Sequence, residues 1–181
     1  MGTRGTKRIR LFSQGGSSEM LLTSVEGLLN FAETNRLYNG VQLDIRKLVS
    51  SMNIEIKDTI LDPSISGSLS RDGDNWVIQI NKSHHTNRQR FTLGHELAHY
   101  VLHKSDSDNF TDTILFRGLS NDNIERAAND FASRLLMPED KVKHLINNEQ
   151  VRSIDELANR FGVSAAAMLY RVKQLGYKTK E

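Results

Sequence analysis

Two histidines that stand four residues apart place the strongest constraint on this chain. They are His95 and His99, and Glu96 directly follows the first of them. The segment 90–103 contains no proline and carries apolar residues around both histidines, which predicts a buried helix. Four residues of helix rise about 6 Å and turn about 40°, so the two imidazoles project from one face. Unpaired buried histidines are costly, whereas two imidazoles placed in this way can bind one Zn²⁺.

Glu96 has a different expected role. One residue beyond His95, it lies too far round the helix to be a third ligand, yet its carboxylate can reach a water on the metal and accept a proton. The alternative is a solvated helix with two incidental histidines, and the apolar neighbours disfavour it. The sequence therefore predicts a zinc site with Glu96 as general base.

A catalytic zinc usually has three protein ligands, so a third must come from elsewhere in the chain. His103 lies about 12 Å along the helix from His95, which is too far to share one metal. A motif with glycine and histidine three and six residues after His99 fails, because those positions hold Leu102 and Ser105. Glu125 remains, since it opens the next amphipathic helix; its alternative role is to interact with the macrodipole of that helix.

Two supporting roles are also considered. Asn129, one turn after Glu125, is placed to accept a hydrogen bond from the second N–H of a ligating imidazole. The group that would stabilise a developing oxyanion is left open among Tyr100, His103 and Tyr170.

Two blocks of this sequence resemble the ImmA/IrrE family of zinc metallopeptidases, over roughly residues 43–175. The first block runs from Arg90 to His99. The second begins at Glu125 and continues with Ala128-Asn129-Asp130-Phe131-Ala132 and Leu135-Leu136-Met137-Pro138. Gly94 and Ala98 stand where the family more often has alanine and glycine, a swap of two small residues.

The resemblance implies a zincin-like fold in which His95, His99 and Glu125 hold Zn²⁺ and Glu96 is the general base. It also implies site-specific cleavage of a protein, typically a helix-turn-helix repressor of a mobile element or stress regulon. We therefore expect an α+β, mostly helical chain with a small antiparallel β-sheet. We divide it into a flexible basic arm at 1–16, a metallopeptidase domain at 17–150 and a helix-turn-helix-like segment at 151–181.

Local patterns predict the individual elements. Helices are expected from residue 21 until Asn39-Gly40, over 43–51, 90–103 and 122–137, and from Ser153 and Ser164 onward. Residues 104–120 are polar and are predicted to form a loop, with a short turn at 114–116. Alternating apolar residues predict a strand from Ile54 and a β-hairpin at 66–81. We expect that hairpin to offer an exposed edge that pairs with an extended substrate beside the zinc, a role compatible with its also being an ordinary core hairpin.

The C-terminal segment has the spacing of a helix-turn-helix, with Ala158, Gly162 and Met168 at the expected positions. Basic side chains are available to contact phosphates: Arg171, Lys173, Lys178 and Lys180. The start of the second helix, 164–167, contains only serine and alanine, which offer no bidentate contacts to bases. We therefore favour packing or repressor docking over DNA binding for this segment.

Composition narrows the remaining classes of function. The chain has no cysteine, which excludes disulfides, thiolate metal sites and thiol catalysis. We find neither a secretory signal nor an apolar run of about 20 residues that could span a membrane, and we expect a cytoplasmic protein. The leading hypothesis is a zinc endopeptidase. The rivals are a DNA-binding regulator with a structural zinc and a non-catalytic repressor-binding partner, as in toxin–antitoxin pairs.

Overall fold

The computed structural model describes residues 22–103, 109–113 and 122–179. The predicted basic arm at 1–16 and the predicted turn at 114–116 lie outside these residues. The helices are α1 (Val25–Thr34), α2 (Ile45–Ser51), α3 (Thr86–His103), α4 (Asp122–Leu136), α5 (Glu139–Asn147), α6 (Ile154–Phe161) and α7 (Ala165–Gln174). The strands are β1 (Tyr38–Asn39), β2 (Gln42–Leu43), β3 (Ile54–Thr59), β4 (Ile65–Asp72), β5 (Asn75–Asn81) and β6 (Asn109–Thr113). The expected α+β, mostly helical composition is confirmed.

The main sheet has the strand order β3-β5-β4-β6 and is mixed. The predicted hairpin is present, because β4 and β5 pair antiparallel around the turn at Gly73. However, β3 pairs parallel with β5, so the prediction of a purely antiparallel sheet is wrong. The connection at 60–64 reverses the chain, and β5 lies between β3 and β4, paired with both. Asn81 holds this connection, since its side-chain amide donates to the carbonyls of Leu61, Asp62 and Ile65.

The position of the hairpin in the sheet also differs from expectation. β4 pairs with both β5 and β6, and β5 pairs with both β3 and β4. Neither strand is an edge, so the prediction that the hairpin itself offers a free edge to a substrate is wrong. The strand that covers it is β6, which forms within the stretch 104–120 that was predicted to be a loop. The polar residues of this segment have a low intrinsic preference for strands, so the sequence does not predict one here. The strand forms because the segment pairs with β4.

Helix boundaries follow local capping signals. Ser24, Asp44, Ser153 and Ser164 each accept a hydrogen bond from a backbone N–H in the first turn of the helix that follows. The helices predicted at 43–51, 122–137 and after Ser153 and Ser164 are confirmed. Three boundaries are wrong. α1 begins at Val25, after its cap Ser24, rather than at residue 21. α1 ends at Thr34; Asn39 is the last residue of β1, and Gly40-Val41 makes the turn to β2. α3 begins four residues before the predicted start.

The core lies between the sheet and the helices and places α3 at its centre. α3 packs on β4 and β5 on one side and on α4 on the other. Fully buried residues line this junction: Leu69, Ile78 and Ile80 from the sheet, Leu93 and Leu97 from α3, Leu135 and Leu136 from α4. Each such side chain contributes roughly 1.5–3 kcal/mol relative to exposure, so the position of α3 is strongly determined.

The C-terminal segment consists of α6, a three-residue turn that begins with the left-handed Gly162, and α7. Arg171 on α7 is only 5% exposed, and its guanidinium donates to the carbonyl of Met137. Its predicted availability to phosphates is therefore wrong, because the side chain points into the protein rather than away from it. Within the described ranges, no helix combines the length and apolar content that crossing a membrane requires.

Candidate metal centre

Helices α3 and α4 bring three predicted side chains together. The Nε2 atoms of His95 and His99 lie 3.0 Å apart, as their spacing on one helical face requires. Glu125, in the first turn of α4, places Oε2 at 3.2 Å from His95 Nε2 and Oε1 at 3.5 Å from His99 Nε2. Among the described residues these three form the one group of histidine and acidic side chains with the spacing of a metal site.

These distances suit an ion of the size of zinc. Ligand atoms bound tetrahedrally at 2.0–2.1 Å are separated from one another by about 3.3–3.4 Å. The three observed separations bracket that value. Two imidazole nitrogens and one carboxylate are also the donor set of many catalytic zinc sites, and they leave a fourth position for water or substrate.

The environment of His95 fixes which of its nitrogens is free to bind. Its Nδ1 lies 3.1 Å from Oδ1 of Asn129 on α4, which confirms the predicted partner. An amide oxygen can only accept, so Nδ1 carries the proton and Nε2 keeps its lone pair toward His99 and Glu125. Both imidazoles are almost fully buried, whereas the side chain of Glu125 is 43% exposed. The centre is therefore closed on the α3 side and reaches solvent on the α4 side.

Glu96 is fully buried and lies against strand β4. A Cβ atom at Gly67 would come within 3.4 Å of Glu96 Oε1, 2.6 Å of Thr92 Cγ2 and 2.7 Å of the Gln79 carbonyl oxygen. Only glycine lets β4 approach α3 so closely. Sequence reasoning missed Gly67, although an isolated glycine inside a predicted strand is a recognised sign of close backbone approach.

The three candidates for oxyanion stabilisation are placed differently. The ring of Tyr100 on α3 packs edge-to-face against Trp76, with ring centroids 5.6 Å apart. Tyr170 is 63% exposed on α7, which carries none of the three converging side chains. The side chain of His103 is not among those the structure describes.

Two packed helices that converge on a His₂Glu cluster, with a glutamate directly after the first histidine, define a candidate mononuclear metal protein. Residues 50–173 match the model of the IrrE N-terminal-like domain, peptidase family M78. The chain belongs to this ImmA/IrrE family, as the resemblance of its two sequence blocks predicts.

Individual relatives have names consistent with the family. The chain is similar to the radiation response metalloprotease IrrE of Deinococcus radiodurans, at 35% identity over 57% of this chain and 32% of that protein. It is 29% identical to metallopeptidase ImmA of Bacillus subtilis over 57% of this chain and 59% of ImmA. It is also 29% identical to uncharacterized immunity region protein 2 of Bacillus phage phi105, over 83% of this chain and 87% of that protein. The aligned part of the chain thus spans about a third of IrrE and less than two thirds of ImmA.

Proposed function

We propose that this protein is a zinc-dependent endopeptidase that cleaves a helix-turn-helix transcriptional repressor of a mobile element or stress regulon. One observation carries the proposal: ligand atoms of His95, His99 and Glu125 lie 3.0–3.5 Å from one another on two packed helices. Glu96 adjoins the first of these residues on α3. Membership of a family whose relatives are named metalloproteases and metallopeptidases supports the same conclusion.

Each residue has one task in this proposal. His95, His99 and Glu125 hold the zinc, and Asn129 keeps the imidazole of His95 in the tautomer that can bind it. When bound, zinc supplies a Lewis acid that polarises the scissile carbonyl and lowers the pKa of the attacking water. The carboxylate of Glu96 accepts the proton from that water and later passes it to the nitrogen of the leaving amine.

The sheet suggests where an extended substrate binds. Both strands of the hairpin are paired on both sides, so we assign substrate pairing to β6, the last strand at this end of the described sheet. β6 pairs with β4, and β4 contacts the metal-binding helix at Gly67. A peptide that added to β6 would gain main-chain hydrogen bonds and run alongside the site.

The repressor substrate is supported by the relatives rather than by the geometry. One of them is named for the immunity region of a phage, and the chain matches most of its length. We propose that the reaction takes place in the cytoplasm, where such repressors bind DNA. The same proposal includes zinc as the metal, a zincin-like domain at 17–150 and a segment at 151–181 that packs on that domain.

The test combines metal content with cleavage. The wild type, Glu96→Gln and the control Glu55→Gln, which alters an exposed glutamate on β3, are purified in parallel and assayed for zinc. Each is then incubated with the helix-turn-helix repressors encoded beside its gene in the source genome, and fragments are identified by mass spectrometry. We expect all three to bind zinc. We expect Glu96→Gln to cleave about 10²–10⁴-fold more slowly than the other two.

Other results favour the rival functions. Equal cleavage by Glu96→Gln would remove Glu96 from the mechanism. A stoichiometric complex without fragments would indicate a non-catalytic repressor partner. Salt-dependent binding to a specific duplex, unchanged in Glu96→Gln, would indicate a DNA-binding regulator. The buried Arg171 disfavours this last outcome.

A further inference from the structure

Arg90 on α3 binds the carboxyl end of α6. Its Nε donates to the carbonyl of Gly162 at 3.0 Å, and its Nη2 donates to the carbonyls of Phe161 and Leu43 at 3.3 and 2.9 Å. Phe161 is the last residue of α6, so the guanidinium meets carbonyls at the negative end of that helix dipole. Asn87, one turn before Arg90, adds a bond of 2.8 Å from Nδ2 to the carbonyl of Val163. α3 therefore holds the turn between α6 and α7.

Arg171 makes the equivalent contact between α7 and α4. Its Nε donates to the carbonyl of Met137, directly after the last residue of α4, at 3.0 Å. Its Nη1 donates to Oε1 of Gln174 at 2.6 Å, and Gln174 donates in turn to Oδ1 of Asp130 at 2.7 Å. Asp130 follows Asn129, the residue that binds the imidazole of His95. The contacts of α7 therefore reach the middle of α4.

These contacts close a ring of four helices. α3 is bonded to α6 through Arg90, α6 continues into α7, α7 is bonded to α4 through Arg171, and α4 packs on α3. The ligand-bearing helices are neighbours in this ring, and α6 with α7 bridges them on the other side. A tetrahedral site requires its side chains within about 0.5 Å of the binding geometry, so the separation of α3 and α4 must be held closely.

We propose that α6 and α7 form a brace that sets the separation of the two metal-binding helices, with Arg90 and Arg171 as positioning residues for the metal centre. This proposal rests on the proposed function, because it takes His95, His99 and Glu125 as the ligands. It gives the C-terminal segment a role in the metallopeptidase itself rather than in reading DNA.

The experiment measures metal affinity, not activity. Dissociation constants for Zn²⁺ and Co²⁺ and the visible spectrum of bound Co²⁺ are recorded for the wild type, Arg90→Met, Arg171→Met and the control Arg160→Met. Arg160 is an exposed residue of α6 that pairs only with Glu149 and Glu156 in the described part of the chain. We expect about tenfold weaker binding and an altered Co²⁺ spectrum in the two brace variants, and no change in the control. Arg171→Lys, which retains the charge and a donor, should recover part of the affinity.

Circular dichroism of the metal-free proteins separates positioning from folding. Affinities are compared at a temperature at which each variant is folded. If Arg171→Met does not fold, Gln174→Leu replaces it, because Gln174 is exposed and its loss interrupts the contact with Asp130. Wild-type affinity and spectrum in folded brace variants would overturn the brace while leaving the proposed function intact. A wild type that binds neither ion would overturn the proposed function and the brace together.

Discussion

The two helix pairs of this protein, α3 with α4 and α6 with α7, share a local pattern but use their polar residues differently. Both pairs pack through apolar stripes, and both contain buried polar side chains. In the first pair, the imidazoles of His95 and His99 face the carboxylate of Glu125 across the helix junction. In the second pair, Arg171 points away from its partner helix and binds the end of α4. Polar residues at a packed face thus mark a site only where several converge on one point.

The exposed charges of the two pairs make the same contrast. Glu156 on α6 has an exposed side chain and pairs with Arg160 one turn later, at 3.7 Å. Such exposed pairs stabilise a helix by about 0.3–0.5 kcal/mol and do not by themselves indicate a functional site. Glu125 on α4 is also partly exposed, but its two oxygens approach two buried imidazoles. The comparison can be tested by matched substitutions in the two pairs.

The largest effect on zinc affinity is expected when the acidic residues in the first turns of α4 and α6 are compared. Glu125→Ala should weaken zinc binding more than about 100-fold, because it removes one of the three proposed ligands rather than a supporting contact. Glu156→Ala should leave the affinity unchanged. Competition with a chelating indicator measures both. If Glu125→Ala kept the wild-type affinity, the approach of Glu125 to the two imidazoles would not distinguish the α3–α4 pair from the α6–α7 pair.

The next largest effect on zinc affinity is expected when an asparagine of α4 is compared with an asparagine of α6. Asn129→Leu should reduce zinc affinity about 10- to 100-fold, because His95 loses the acceptor that fixes its tautomer. Asn159→Leu, an exposed residue of α6, provides the matched control. The free energy of unfolding of the metal-free proteins is measured alongside. A similar affinity in the two variants would contradict the assignment of Asn129 as an orienting residue.

The sequence predicts the local parts of this architecture well. His95 and His99 are one helical turn apart, so their convergence follows from helix geometry alone. Caps such as Ser153 and Ser164 and the left-handed Gly162 are also local signals, and the helices they delimit are confirmed. Glu125 is more remote, and its place beside the imidazoles depends on the packing of α4 against α3.

The missed features depend on partners distant in the chain. The parallel pairing of β3 with β5 and the strand β6 arise from pairing that no local pattern encodes. The contacts of Arg90 and Arg171 are with backbone carbonyls, which every residue type has, so the sequence does not reveal them. The sequence leaves Arg171 available to phosphates, because a basic residue in a short helix has no sequence signal for the direction in which it points.

A smaller effect on stability is expected from the glycine of the second pair. Gly162 has a φ of 65°, and a Cβ there would lie 2.2 Å from Nε2 of Gln42 and 3.0 Å from Nε of Arg90. Gly162→Ala should cost about 1–2 kcal/mol in the free energy of unfolding, mainly from the left-handed backbone, since the Gln42 side chain can move aside. Urea denaturation measures the change. An unchanged midpoint would contradict the expected cost of a side chain on the left-handed backbone at this turn.

The smallest effect is expected from the glycine of the first pair. Gly94 lies in the middle of α3, and a Cβ there would be 3.4 Å from Cβ of Ala132 and from Cδ1 of Leu136. This is the edge of ordinary van der Waals contact, so Gly94→Ala requires little movement of α4. Alanine also gains about 0.8–1 kcal/mol of helix propensity over glycine, which offsets the tighter contact. We expect a net change within about 0.5 kcal/mol and wild-type zinc affinity. A larger destabilisation with weakened metal binding would show that the α3–α4 junction is as intolerant of an added methyl group as the turn at Gly162. The family's more common alanine at this position would then require a different spacing of the two helices.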